Sequence, residues 1–600
     1  MSTDVMTSAA ESAAPLRRQE CFFWLCAATA VLVFLGRDPL FGGEALVAEA
    51  AREASVSGRW WPLGVNFRPF SGLPLLETWS IGAMFALFGV SEFAARLPSA
   101  LGVLVLLAGV RVLATSLFDR RTALLAGWLT LGSYGFLYLG RSAGGSVMGC
   151  AAVVWAVAWY CRGGSRFGFW KSLVFYLLVA LGVMACRPVF LLLPVALLLP
   201  GLWRVRSGAG VFSLRGAAAL LTAAAIPAAW WLYSLGTTLP QLRTALGERF
   251  ADGFVAAAAD VWNTLPRFGA ERGEPLYAGL YEVPRIMLPW AALLFAAVAG
   301  MIARFRRLSV EAKSLLRGAL LLFLLCALPT SSRWPDFLPL VPFLALGTAA
   351  GLLGNGRESW NDLAEKFTRS CIVLLAALGT VSPVALPVWR QLLKIELPVV
   401  VLLAWPITGA VVLLVTLLDS YPTKPLCKLT GLPNSLGSTI LGGTLITICL
   451  ISLVVPALRE LRSEKPFFLS LRPLFSELEP DSVIFVGDRS NSAVMLFYTG
   501  MNSPCTVISD GDGAGFVEAV EKRRGAHLAV LTRYRAGREL EFLRRSSAAA
   551  GLKLDINAPD RLEETPPGYG DGDRRRACWL TTAPAAGAKD KNATVKHKGE

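Results

Sequence analysis

The chain has 600 residues, of which 54% are hydrophobic and 17% are charged, and its formal net charge is +15. Soluble domains carry about 25% charged residues, so the composition excludes an ordinary soluble protein and predicts a polytopic membrane protein. The basic excess does not indicate a nucleic-acid-binding protein, because most Lys and Arg lie in short loops between apolar runs. With two histidines in all, His527 and His597, neither a histidine-based metal site nor a Ser-His-Asp triad is expected.

About thirteen apolar runs have the length that spans a bilayer. The first run follows Arg17 and Arg18, and no small-residue cleavage site comes after it, so we predict a retained helix rather than a signal peptide. Successive basic loops are separated by two spans, which places these loops in the cytoplasm. The predicted spans lie near residues 20–36, 97–117, 122–139, 146–161, 171–186, 188–203, 214–235, 284–303, 314–330, 337–354, 370–390, 396–418 and 436–458.

This topology predicts a cytoplasmic N-terminus at residues 1–19 and a helical membrane domain at residues 20–458. Two long loops, 37–96 and 236–283, lie on the external side. The number of spans is odd, so the chain after the last span is external as well.

Residues 459–583 differ in character from the membrane domain. Strand-like runs alternate there with helical patterns, which predicts an external α/β domain with a partly parallel sheet. Cys505 and Cys578 lie in this domain and either form a disulfide or remain two free thiols. Residues 584–600 have the composition of a disordered tail. The strand-like runs are 481–488, 504–511 and 527–534, with 577–583 as a candidate closing strand.

The first external loop carries several charged residues at helical spacing. Glu44, Glu49 and Glu53 fall on one side of a short predicted helix together with Arg52. One interpretation is a solvated helix face or a helix in the membrane interface. The other places a carboxylate over a cavity, where it deprotonates an acceptor hydroxyl or holds a divalent cation. The loops supply five further candidates for acceptor binding, namely Glu49, Arg68, Glu77, Arg249 and Tyr277.

Three arginines, Arg141, Arg187 and Arg333, lie at or near span ends that are predicted to face outward. A charge in the hydrocarbon core costs at least about 2.5 kcal/mol, so such residues have a partner or a ligand. Arginine binds phosphate oxygens through two parallel hydrogen bonds and stays charged. Snorkelling to the lipid headgroups is the alternative for each one. Three on the same side favour a lipid ligand that carries a phosphate.

Four ordered segments resemble membrane glycosyltransferases of the GT-C fold, especially bacterial lipid A aminoarabinose transferases and protein O-mannosyltransferases. The resemblance extends over nearly the whole chain. It implies a GT-C fold of about thirteen transmembrane helices with an extracytoplasmic C-terminal α/β domain, in the bacterial inner membrane. It also implies sugar transfer from a polyprenyl-phosphate donor to a lipid, glycan or protein acceptor. The segments are GGEALVAEAAREASVSGRWWP (42–62), FGVSEFAARLPSAL (88–101), CRPVFLLLPVALLLP (186–200) and SSRWPDFLPLVPFLAL (331–346).

The chain departs from the family at functional positions. The first-loop acid of the family falls on Gly43, which leaves Glu44 as the nearest carboxylate. A second acid falls near Ser146, and a first-loop lysine falls on Leu73. A later lysine becomes Arg187. One residue along a helix turns a side chain by about 100°, so Glu44 replaces the acid only if it turns inward.

The lysine of the fourth segment falls near Ser332 or Arg333, and Asp336 or Phe337 stands where tyrosine is usual. On the resemblance, Glu44 is the base or metal ligand, and the three outward arginines bind the donor phosphate. The alternatives are a non-catalytic relative that binds a lipid-linked sugar or a protein partner, and a transporter. The transporter is disfavoured because the sequence shows no inverted repeat and no paired broken helices.

Overall fold

The computed structural model describes most of the chain and divides it into two compact units. We call Met1–Asp38, Ser71–Leu386 and Leu397–Ala457 the helical unit, and Pro39–Phe70, Pro387–Glu396 and Leu458–Glu600 the mixed unit. The described residues are 2–185 without 62, 70–72 and 164–167; 216–225; 278–476 without 304, 308–309, 328–333, 354–358, 384–397, 419–424 and 461–462; and 482–486, 489–508, 512–522, 527–532, 545, 561–564 and 575–582.

Most of the described elements are helices. They are α1 (Ser2–Leu32), α2 (Gly43–Ser57), α3 (Leu75–Phe88), α4 (Glu92–Leu117), α5 (Arg120–Leu131), α6 (Tyr134–Gly140), α7 (Val147–Arg162), α8 (Phe169–Ala185), α9 (Gly216–Ala225), α10 (Ala278–Ile286), α11 (Ala291–Ala303), α12 (Val310–Ala327), α13 (Val341–Leu353), α14 (Ser359–Val381), α15 (Val399–Leu418), α16 (Pro425–Thr430), α17 (Asn434–Cys449), α18 (Val455–Glu460), α19 (Lys465–Ser476), α20 (Arg489–Thr499) and α21 (Gly513–Glu521). Short 3₁₀ turns cover Phe305–Arg307 and Trp334–Leu340, and a π-helical turn, Leu450–Val454, joins α17 to α18.

Several helices of the helical unit are long and apolar enough to cross a membrane. Among the described residues these are Glu92–Leu117, Val399–Leu418 and the continuous run Ser435–Glu460. Two bent helix pairs each have the composition of a further span. The membrane class predicted from composition is therefore confirmed. The number of thirteen spans stays a prediction, because the run near 188–203 and others lie outside the described residues.

The core of the helical unit is built on large aromatic side chains. Phe23 of α1 and Trp128 of α5 are fully buried and pack edge to face, with ring centroids 5.1 Å apart. Edge-to-face packing places the positive ring edge against the negative ring face. Gly127 makes room for this pair, because a Cβ there would lie 2.9 Å from the Phe23 ring. This contact fixes α1 against α5.

Two broken helices meet inside the helical unit. The pair α5 and α6 bends by 68°, and the pair made of residues Leu280–Ile286 and α11 bends by 119°. Tyr134 donates its backbone N–H to the carbonyl of Leu288 at 2.7 Å, which joins the two breaks. Pro289 lacks an N–H and cannot continue the helix before it. Each pair is a broken span or a re-entrant loop, and neither break is predicted from the sequence.

Trp290 fills the space beside these breaks. It is fully buried, and two glycines allow its ring to fit. A Cβ at Gly443 would lie 2.5 Å from the ring, and one at Gly132 would lie 2.7 Å from it. Close packing of a rigid ring against two backbones holds α17 against the break between α5 and α6.

The mixed unit contains a five-stranded sheet. Its strands are β3 (Val483–Val486), β4 (Thr506–Ile508), β5 (His527–Thr532), β6 (Arg561–Glu564) and β7 (Arg575–Thr582), in the order β4-β3-β5-β7-β6. β3 is parallel to β4 and β5, while β7 is antiparallel to β5 and β6. Helices α20 and α21 make the crossovers that parallel neighbours require. The four residues of β3 are all buried.

The sheet order separates the two cysteines of this unit. Cys505 directly precedes β4, and Cys578 lies on β7, so β3 and β5 come between their strands. Neighbouring strands lie about 4.8 Å apart, which puts these strands about 14 Å apart, and a disulfide needs Cα atoms within about 7 Å. Cys505 is a free thiol. The disulfide between Cys505 and Cys578 is therefore not formed.

Candidate functional site

Glu44 lies in the first turn of α2, in the mixed unit. Its side chain is half-buried, and its backbone N–H donates to the carbonyl of Phe41 at 3.0 Å. A carboxylate is favoured at a helix N-terminus by the exposed N–H groups there. The preceding Gly43 is exposed, and a Cβ at this position would meet no atom within 4 Å. The site therefore has room for an acid at residue 43 as well as at 44.

The other charged residues of α2 form a buried cluster. Glu49 is 0% exposed and Arg52 is 4% exposed. Nε and Nη2 of Arg52 each donate to a Glu49 carboxylate oxygen at 2.7 Å. Burial raises the pKa of Glu49, and the Arg52 guanidinium opposes this rise. Of the two interpretations of this helix, the solvated charged face does not apply to Glu49 and Arg52, because both side chains are buried.

The same arginine attaches α2 to the start of the loop after α20. Its Nη2 donates to the carbonyl of Met501 at 2.5 Å, and its Nη1 donates to Oδ1 of Asn502 at 3.2 Å. Nearby, the Tyr498 hydroxyl accepts from the backbone N–H of Leu40 at 2.8 Å. These contacts hold the helix that carries Glu44 against α20.

A short hairpin follows α2. Its strands are β1 (Gly64–Val65) and β2 (Arg68–Pro69), and both residues of the turn have positive φ, 59° at Asn66 and 58° at Phe67. Asparagine tolerates this conformation better than most residues. Oε2 of Glu53 accepts from the N–H of Phe67 at 2.9 Å, which holds the turn. Arg68 is exposed.

Arg141 lies in the helical unit, directly after α6. It is 7% exposed. Its guanidinium donates to the carbonyls of Ala30, Val31 and Val33 at 2.8, 3.0 and 2.8 Å. These carbonyls lie at the C-terminal end of α1, where cations are favoured. The three bonds use three of the five N–H donors of the guanidinium.

Arg96 of α4 binds the segment that continues from α1. It is 1% exposed, and it donates to the carbonyl of Leu35 at 3.3 Å and to the carbonyl of Asp38. Sequence reasoning did not select Arg96, although an arginine within an apolar run is a recognisable signal of a buried contact. Two guanidiniums thus hold the end of α1 and the chain after it.

Glu77 lies in the first turn of α3 and is 0% exposed. Ser99 of α4 donates its hydroxyl to Oε1 of Glu77 at 3.1 Å. The backbone N–H groups of Gly144, Gly145 and Ser146 face the carboxylate and favour its charged form, while burial raises its pKa to about 7. A carboxylate from α3 therefore lies at the turn that contains Ser146, where the resemblance implies an acid.

The other predicted site residues have different outcomes. Arg187, Arg333, Arg249 and Tyr277 lie outside the described residues. Leu73 is buried. The part of the chain that the structure describes contains no group of three or more His, Cys, Asp or Glu side chains that could hold a metal ion.

Comparisons with known proteins point to one fold. Residues 73–233 match the family model described as dolichyl-phosphate-mannose-protein mannosyltransferase. No curated protein sequence matches the chain. ArnT from Cupriavidus metallidurans bound to undecaprenyl phosphate is 17% identical, covers 94% of this chain and 98% of its own, and has a TM-score of 0.66. The structure of ArnT from the same organism in the apo state is also 17% identical, with a TM-score of 0.60. The match covers 94% of this chain and 97% of the ArnT chain.

The Archaeoglobus fulgidus oligosaccharyltransferase tethered with an acceptor peptide is also similar. The two chains are 11% identical and their TM-score is 0.46. The match covers 92% of this chain and 73% of the oligosaccharyltransferase chain. The structural likeness to ArnT and the match to the family model agree with the four sequence segments. The predicted resemblance is therefore confirmed, and the chain has the fold of the GT-C glycosyltransferases.

Proposed function

We propose that the protein is a membrane glycosyltransferase that moves a sugar from a polyprenyl-phosphate donor to a lipid, glycan or protein acceptor outside the cytoplasm. One observation carries the proposal. The fold matches, over 94% of this chain, that of ArnT bound to undecaprenyl phosphate. A fold kept over nearly the whole chain favours retention of the lipid-binding function. We place the protein in the bacterial inner membrane, with residues 459–583 on the extracytoplasmic side.

The proposed reaction is a displacement at the anomeric carbon of the donor. The acceptor hydroxyl gives its proton to the Glu44 carboxylate, and its oxygen forms the new bond to the anomeric carbon. The bond between that carbon and the phosphate oxygen breaks, and polyprenyl phosphate leaves as an anion. If a divalent cation is required, Glu44 is the carboxylate that we propose as its ligand.

We assign the phosphate of the donor to Arg141, Arg187 and Arg333. Arg141 supports this assignment because it is buried and three carbonyls at the end of α1 hold its guanidinium in place. A guanidinium stabilises the charge that develops on the leaving phosphate. We propose Arg68, Arg249 and Tyr277 for the acceptor side. Glu49 is better explained as the partner of Arg52.

A non-catalytic relative that binds a lipid-linked sugar or a protein partner is the second candidate. Gly43, Leu73 and Ser146 favour it, because each stands where the family has a charged residue. The two candidates differ in turnover and share lipid binding. Mass spectrometry of lipid that co-purifies with the protein therefore tests binding, while a transfer assay tests catalysis.

The test incubates purified protein with polyprenyl-phosphate sugars and with candidate lipid, glycan and protein acceptors. The proposal predicts a glycosylated acceptor and free polyprenyl phosphate in equal amounts. Bound polyprenyl-phosphate lipid without transfer to any acceptor would favour the non-catalytic relative. Absence of both binding and transfer would overturn the proposal.

A further inference from the structure

The carboxylate of Glu77 occupies an enclosed position between two helices and a turn of the helical unit. The side chain is fully buried, and the hydroxyl of Ser99 donates to its Oε1 at 3.1 Å. Oε2 makes no hydrogen bond of good geometry within the described residues. A buried carboxylate is destabilising unless the polar groups around it replace its lost hydration. We therefore expect Glu77 to have a role in addition to the packing of α3 on α4.

The turn opposite Glu77 has the geometry of an anion-binding turn. Gly144 has φ 77° and Ser146 has φ 63°, both in the left-handed region. Successive backbone N–H groups in such turns form a concave site for an anion. Here the N–H groups of Gly144, Gly145 and Ser146 face the Glu77 carboxylate.

Glu77 also places a negative charge at the N-terminus of α7. Ser146 is the residue that precedes this helix, and its own side chain makes no capping hydrogen bond. Helix N-termini leave backbone N–H groups without partners, and a carboxylate near them is favourable. Glu77 supplies this negative charge from another helix. The turn thus has a carboxylate although residue 146 is a serine.

The other end of the turn is Arg141, three residues before Gly144. Its guanidinium is held by the carbonyls at the end of α1. The segment from Arg141 to Ser146 is therefore fixed at one end by α1 and at the other by Glu77. Five peptide bonds, each planar and stiff, separate Arg141 from Ser146, so the contact of Glu77 with this turn lies close to Arg141 along the chain.

We propose that Glu77 is a positioning residue for the donor: its carboxylate, through the amides of Gly144 to Ser146, holds the turn that presents Arg141 to the phosphate of the polyprenyl-phosphate lipid. This inference rests on the proposed function. It goes beyond that function because it assigns to α3 a carboxylate that acts on the donor site without touching the lipid.

The test measures binding of undecaprenyl phosphate to the full-length protein in detergent, with undecaprenol, which lacks the phosphate, as the neutral probe. Glu77→Gln keeps the size of the side chain and removes its charge. We expect it to weaken binding of undecaprenyl phosphate by about tenfold, since small displacements of a positioning group reduce function by such factors. Binding of undecaprenol should not change. Glu92→Gln is the matched control, because Glu92 is a half-buried acid in the first turn of α4.

A double-mutant cycle shows whether Glu77 acts through Arg141. If it does, Arg141→Gln combined with Glu77→Gln binds undecaprenyl phosphate no more weakly than Arg141→Gln alone. Additive losses, or equal losses for both lipids, would overturn the inference. If Glu77→Gln does not fold, Ser99→Ala removes one hydrogen bond to the carboxylate and should give a smaller loss in the same direction.

The wild-type measurement separates this inference from the proposed function. Wild-type protein that does not bind undecaprenyl phosphate would overturn both. Wild-type protein that binds it as tightly as Glu77→Gln does would overturn the inference on Glu77 and leave the proposed function in place.

Discussion

Asn66 and Cys505 exchange two hydrogen bonds of 2.7 Å, although 439 residues separate them. The Asn66 amide donates to the carbonyl of Cys505, and the N–H of Cys505 donates to the Asn66 side-chain oxygen. The side chain of one residue thus satisfies the whole backbone of the other, as a neighbouring strand would. This pair fixes the hairpin after α2 to the chain that leads into β4.

Substitution of Asn66 should release the hairpin. Asn66→Gly keeps the positive φ without strain and loses both hydrogen bonds, so we expect about 1–3 kcal/mol of destabilisation. Asn66→Ala should destabilise the protein further, because alanine is strained at φ 59°. Thermal unfolding and limited proteolysis between residues 58 and 70 measure the two effects. Equal stability of wild type and both variants would contradict the role of this pair.

The pair formed by Glu49 and Arg52 should be more sensitive to single than to double substitution. Arg52→Met leaves a buried carboxylate without its partner and should cost about 3–5 kcal/mol. Glu49→Leu combined with Arg52→Met removes both charges and should cost less than Arg52→Met alone. Denaturation midpoints of the three proteins give the comparison. A double variant that is less stable than Arg52→Met would show that the ion pair is not the main contribution.

Stability should depend on pH through Glu77. Its pKa in the folded protein is about 7, against 4.5 as the ordinary value, so the folded state binds more protons between these values. The free energy of unfolding therefore falls as pH rises from about 4.5 to about 7, by up to about 3 kcal/mol. Glu77→Gln should reduce this slope but not abolish it, because burial also raises the pKa of Glu49. Thermal midpoints at pH 5 and pH 8 test this, and an unchanged slope in the variant would contradict it.

The glycines around Trp290 should differ in their tolerance of alanine. A Cβ at Gly443 meets the buried ring at 2.5 Å, whereas one at Gly442 meets the side chains of Ile372 and Val412 at 3.1 and 3.2 Å. Gly443→Ala should destabilise the protein by about 1–3 kcal/mol through overpacking. Gly442→Ala should be nearly neutral, because the helix propensity of alanine offsets a small adjustment. Equal effects of these neighbouring substitutions on the unfolding temperature would contradict the packing of Trp290.

The sequence predicts the class of the fold because that class depends on local patterns. The apolar run of α4 is detectable without its neighbours, and so is the amphipathic helix α2. The breaks beside Ser133 and Pro289 are harder to detect, because a glycine or a proline within an apolar run occurs both in continuous and in broken helices.

The partners of the charged residues could not be predicted. Arg52 binds Met501 and Asn502, and no local pattern relates residues 449 and 450 positions apart. The partners of Arg141 are backbone carbonyls, which every residue has, so the sequence indicates a buried arginine without indicating its contacts. Glu77 was selected as an acceptor candidate. Its approach to the turn at Ser146 depends on the packing of α3 and α4.

The proposed catalytic role of Glu44 is tested by sugar transfer in four proteins: wild type, Glu44→Gln, Gly43→Asp combined with Glu44→Gln, and Glu92→Gln. We expect transfer by wild type and by the Glu92→Gln control, and a loss of about 100-fold or more in Glu44→Gln, because this substitution removes the general base. Partial recovery is predicted for the double variant, because an added Cβ at Gly43 meets no atom within 4 Å. Full transfer by Glu44→Gln, or no transfer by wild type, would contradict the role of Glu44 as the general base.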